Sequence, residues 1–170
     1  MRSWLLSPLV KIIVLALVYF VAARFGLALD AVSGFTTLVW LPTGIALASL
    51  RLFGYGLFPG IFIGAFIANF LNSASPLVAL GISIGNTLEA LAAWYFLTRF
   101  IKFRNTLDRI HDVLSLIVAA AIFSTMISAS IGVVSLLLGG VIKIEAFRST
   151  WVAWWMGDMK IGRASCRERV

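Results

Sequence analysis

Two carboxylates in this chain stand where a carboxylate is costly. Glu89 lies near the centre of the apolar run GISIGNTLEALAAWYF (81–96), with Asn86 one helical turn earlier on the same face. Asp158 lies inside a second apolar run that begins WVAWWMGD (151–158). On insertion scales an acid at the bilayer centre costs about 2.5–3.5 kcal/mol, so each must face protein or water and find a partner. The chemistry open to such groups is binding a ligand or ion, or carrying a proton. Ionisable groups inside a membrane are functional candidates by default. A second reading is a polar clasp, in which Glu89 fixes helix register through hydrogen bonds to Asn69, Thr43 or a serine of the fifth span. A third is that Glu89 is simply protonated. WLPTGIA (40–46) adds Trp40, Pro42 and Gly44 to the candidates. Proline removes a helical hydrogen bond, and irregular backbone at membrane depth survives only where it is buried or lines a cavity. The stretch is therefore placed to line a site with Glu89; an ordinary proline kink is the alternative.

The elements that must position these groups follow from composition. Hydrophobic residues make up 61% of the chain and charged residues 12%, with a mean hydropathy of +1.02. Soluble domains average about 45–50% apolar and roughly 25% charged. The expected fold is all-α, a polytopic transmembrane helix bundle in the lipid bilayer. A span needs about 20 apolar residues. Segments 9–29, 35–53, 57–71, 76–100 and 113–138 qualify, and a sixth begins near Thr150. Loop charges orient them. With the N-terminus cytoplasmic, Arg2, Arg51, Arg99, Lys102, Arg104 and Arg109 lie inside, and Arg24, Lys143 and Arg148 outside. The net charge of +7 comes from residues at the ends of apolar runs, not from a face that could follow a phosphate backbone, so no nucleic acid is expected.

Without a hydrophobic drive between helices in lipid, small residues let them approach closely. Gly60 and Gly64, Gly81 and Gly85, and Ser128 and Gly132 each recur four residues apart and read as one contiguous packing seam. Trp151, Trp154 and Trp155 read as interfacial anchors. His111, in the cytoplasmic loop beside Asp108, Arg109 and Asp112, reads as a solvated or capping residue. No Ser–His–Asp arrangement, H-E-x-x-H, P-loop or G-x-G-x-x-G is present, so nothing points to an enzyme, and neither metal nor cofactor is expected.

Residues 160–170 differ in kind. Lys160, Arg163, Arg167 and Arg169 crowd into this short tail with Cys166. IGRASCRERV resembles a common sequencing adapter translated in frame. The expected organisation is a truncated domain over 1–159 and a non-native tail over 160–170.

VWLPTGIALASL (39–50), GLFPGIFIGAFIANFL (56–71), IGNTLEALAAWYFL (84–97), LDRIHDV (107–113), SASIGVVSL (128–136) and WVAWWMGDM (151–159) resemble, in order and spacing, the first of the MASE families, the bacterial membrane-associated sensor domains. By family analogy this implies an inner-membrane sensory input domain of about eight spans. Five are present here with the start of a sixth. It also implies a cytoplasmic output partner: a histidine kinase of a two-component system, or a cyclic-di-GMP module. A homodimer fits the same reading. The alternative is a small-molecule transporter or a membrane substrate-binding subunit, since broken helices with polar groups at the midplane serve transporters too.

Overall fold

The computed structural model describes residues 7–28, 40–72, 74–100 and 122–167. Among them the chain is all-helical, with six α-helices: α1 (Pro8–Ala28), α2 (Leu41–Phe53), α3 (Phe58–Phe70), α4 (Pro76–Tyr95), α5 (Thr125–Leu138) and α6 (Phe147–Arg167). Short 3₁₀ turns at Tyr55–Leu57 and Ile144–Ala146 lead into α3 and α6, and a π-helical turn at Phe96–Phe100 extends α4. Residues 35–39 and 113–121 of the expected second and fifth spans, and His111, lie outside the described residues.

All four prolines stand in the first turn of a helix: Pro8 in α1, Pro42 in α2, Pro59 in α3 and Pro76 in α4. There the missing N–H would have had no helical partner anyway. Pro42 therefore starts a helix, and the ordinary kink considered for it does not occur. Ser75 caps α4, its hydroxyl accepting from Val78 N at 3.3 Å. Gly54 closes α2 at φ +96°, a conformation in which a side chain would be strained.

α1 and the stretch Pro76–Arg99 are long and apolar enough to cross a membrane. Leu9, Ile13, Leu17 and Val21 line an outward face of α1, each at least half exposed. Such a stripe is unfavourable in water and at home in lipid.

α4 is the central helix. One apolar core joins α1, α2 and α3 to it through Leu15, Tyr19, Leu50, Ile61, Ala65 and Ala90. The other joins α4 to α5 and α6 through Val78, Ile82, Ala129, Val133 and Trp154. The small residues divide between these interfaces instead of forming one seam. Gly60 and Gly64 lie on α1, against Ile12 and Ala16, while Gly81 and Gly85 lie on α5, against Ser135 and Ile131. Periodicity defines a helix face but not its partner, which is why the stripes look continuous in sequence.

Gly132 receives the ring of Trp154 from α6. A Cβ there would lie 2.6 Å from Trp154 Cη2 and 2.7 Å from Cζ2. Trp154 is only 6% exposed, so it is a packing residue and not an interfacial anchor. Trp151 and Trp155 stack with centroids 5.6 Å apart and donate to Ser130 Oγ and the Ile122 carbonyl. Gly132→Ala is expected to expel the Trp154 indole and destabilise the bundle by about 1–3 kcal/mol, the usual cost of overpacking. Adding Trp154→Leu should recover most of that loss. Thermal unfolding in mild detergent checks it, and a double variant no better than the single would refute the ring-in-notch account.

Candidate functional site

The two cores meet around a polar cluster drawn from five helices. Glu89 and Asn86 come from α4, Asp158 from α6, Tyr19 from α1, Trp40 and Thr43 from the start of α2, and Ser128 from α5. Glu89 is 2% exposed, Asp158 1%, Asn86 3% and Tyr19 1%.

Local sequence explains each placement. Asn86 and Glu89 are one turn apart, so α4 presents both on one side. Tyr19 sits near the middle of α1, on the face that α3 holds through Gly60 and Gly64. α2 is short: at about 1.5 Å per residue its 13 residues reach roughly 20 Å, against about 30 Å of hydrocarbon. Thr43 lies beside Glu89, and Arg51 Nη1 donates to Thr98 Oγ1 at 3.0 Å. α2 therefore runs parallel to the second half of α4 and begins at the depth of Glu89. The Trp40 N–H donates to the Gly157 carbonyl at 3.3 Å, which ties the start of α2 to α6 one residue before Asp158.

The hydrogen bonding is short of donors. Ser128 Oγ donates to Asn86 Oδ1 at 2.8 Å, committing its one proton. Yet Ser128 is also within hydrogen-bonding reach of Glu89 and of Asp158. Thr43 is in reach of Glu89, and Trp154 of Asp158. The Tyr19 hydroxyl is turned towards Trp40 and Asn86, and it feels both carboxylates. Among the described residues, four buried atoms of the cluster have no direct hydrogen-bond partner: Glu89 Oε1, Asp158 Oδ2, Asn86 Nδ2 and Trp40 Nε1. Buried polar atoms are normally satisfied, so four together call for explanation. Neither carboxylate makes an ion pair among the described residues. The two lie within electrostatic range of each other.

Of the candidates from sequence, the structure brings together Glu89, Asn86, Asp158 and Trp40. Pro42 is buried at the start of α2, with Gly44 half-buried in its first turn. Asn69 is not part of the cluster: its Nδ2 donates to the Ala65 carbonyl of its own helix at 2.8 Å, and its backbone carbonyl receives Asn72 N and Ala74 N. Tyr19 escapes a sequence reading because a lone tyrosine in an apolar run reads as part of the apolar face. Its one signal is a hydroxyl at the centre of a span. Among the described residues no three His, Cys, Asp or Glu side chains gather as a metal would require.

No curated protein and no solved structure matches this chain. A family model described as MASE1 matches residues 12–160, which include every residue of the polar cluster and most of the chain. The chain therefore belongs to the MASE1 family of membrane-associated sensor domains.

Proposed function

We propose that this chain is a multi-pass sensory input domain of the bacterial plasma membrane, with its N-terminus cytoplasmic, and that the stimulus acts on the polar cluster. The observation that carries this reading is the pair of buried carboxylates, Glu89 on α4 and Asp158 on α6, enclosed by groups from three further helices. Two acids in hydrocarbon are a standing cost of several kcal/mol. A change in their charge or hydrogen bonding is felt by five helices at once. α6 runs through Asp158 towards the side where α2 ends near Arg51 and the π-helical turn after α4 carries Arg99, the cytoplasmic side in this reading. There it would pass the change to a histidine kinase or a cyclic-di-GMP module. Any such shift must come from differential affinity of the stimulus for two arrangements of the helices.

The test joins the chain to a cyclase reporter and compares it with Glu89→Gln. The amide keeps the size and removes the charge, with one acceptor oxygen exchanged for an N–H donor. The expected result is normal membrane insertion with the half-maximal response moved about 5- to 150-fold, the range of ordinary coupling energies. An unmoved response removes the sensing role. Lost insertion would favour the clasp.

A transporter remains the second reading, favoured by one observation: α2 begins at the depth of the acids, as the broken helices of transporters do. Solute uptake into vesicles carrying the chain, lost in Glu89→Gln, would support it over the sensor.

A further inference from the structure

We propose that the Glu89–Asp158 cluster is a proton-binding site, in which the two carboxylates and one buried water hold a single excess proton in common. This deepens the reading of the cluster as the sensing element by naming what it takes up.

The four atoms without partners carry the inference. Glu89 Oε1 and Asp158 Oδ2 can only accept, while Asn86 Nδ2 and Trp40 Nε1 can only donate. Ser128 lies within reach of both acids, so a guest between their two free oxygens must donate to each, while the Tyr19 hydroxyl lies towards the Trp40 and Asn86 donors. Water does this, and buried waters typically make about three such bonds to otherwise unsatisfied groups. A sodium ion would coordinate the two oxygens but leave the two N–H groups facing a positive charge.

Water completes the hydrogen bonds but not the charge. Two carboxylates in mutual electrostatic range, with no ion pair among the described residues, cannot both stay ionised at low dielectric without a cation. A hydroxyl of Ser128 or Thr43 can donate to a carboxylate oxygen but cancels none of its charge. One proton taken from bulk water leaves a single negative charge over the pair. That charge faces the amino end of α2, where Trp40 provides no side-chain cap and the helix dipole favours an anion. Among the described residues, the titratable groups facing the pair are Tyr19 from α1 and the two acids themselves; α2 presents Trp40 and Thr43, and α5 presents Ser128, none of which titrates here.

The experiment is an infrared difference titration of the whole chain in lipid nanodiscs, with carboxyl-labelled glutamate in one sample and labelled aspartate in another. The expected result is one buried step that both labels report and that shifts in heavy water. Glu89→Gln and Asp158→Asn should each abolish it completely, not halve it. Sodium should leave its midpoint unmoved. Two independent steps, no buried step, or a midpoint displaced by sodium would each overturn the proposal. Both labels report in the wild-type chain, so a variant that fails to fold does not silence the test. The titration reads protonation alone and the reporter reads response alone, so the proton site and the sensing role can fail separately.

Discussion

Gly64→Val is expected to take the bundle apart, while Gly56→Val leaves it intact. A Cβ at Gly64 would lie 2.7 Å from the Ala16 carbonyl oxygen and 3.0 Å from Tyr19 Cβ. One is backbone and the other is a side-chain root, so neither can swing aside and α1 itself must move. Gly60 imposes the same closeness one turn earlier, 2.7 Å from the Ile12 carbonyl oxygen, so the two helices cannot pivot about a looser neighbour. Overpacking typically costs about 1–3 kcal/mol and more where backbone must shift. Native proteins hold only about 5–15 kcal/mol in total. In lipid the loss is not made good by hydrophobic re-packing, because helix association there rests on close contact. Gly56 has no atom within 4 Å of the equivalent position. Thermal unfolding in mild detergent, followed by gel filtration, measures both variants. Equal stability of the two would refute close α1–α3 packing as a determinant of the fold. The shift of α1 would also draw Tyr19 away from Glu89 and Asp158, so any partly folded Gly64→Val should respond abnormally.

Much of this architecture is legible in the sequence, and what is not has physical causes. Apolar runs mark the helices, because lipid leaves backbone hydrogen bonding no other outlet. Glu89, Asn86 and Asp158 stand out because acids and amides are rare in such runs. Pro42 is conspicuous too, but its consequence is not legible: a proline starts a helix or kinks one according to what precedes it, and here Trp40 is the cap. Nor can sequence show that α2 begins beside Glu89, since depth depends on which helices pack together. Trp154 misleads for a related reason. A tryptophan near a helix end usually anchors at the interface, but the bare surface of Gly132 offers Trp154 a notch on α5. Asn69 has the same side chain as Asn86, yet it sits where α3 ends and turns back to the Ala65 carbonyl. Which polar group joins a shared cluster is decided by its height along the bundle.

Glu89→Met combined with Asp158→Leu separates a clasp from a sensing site most sharply. The replacements are close apolar isosteres of the two acids. Removing one member of a buried polar network leaves its neighbours unsatisfied, at about 1–3 kcal/mol. Each single variant should therefore unfold more readily than the parent, since the remaining carboxyl loses the acid and water it is held by. Replacing both removes the need for a proton and most of the desolvation penalty. Burying each ion costs several kcal/mol, and the double variant removes both costs at once while leaving Asn86 and Trp40 no worse paired than in either single variant. The double variant should accordingly insert and fold at least as stably as the parent, with a coupling energy of about 0.5–3 kcal/mol between the sites. Its response through the reporter should be lost outright, because the groups that change state are gone. A clasp predicts the reverse order: the double variant would be the least stable of the four chains, and any residual fold would keep its response. Unfolding midpoints and reporter output, measured on the same four proteins, distinguish the two. A stable but silent double variant would mean that these acids are kept in the membrane for what they sense and not for what they hold together.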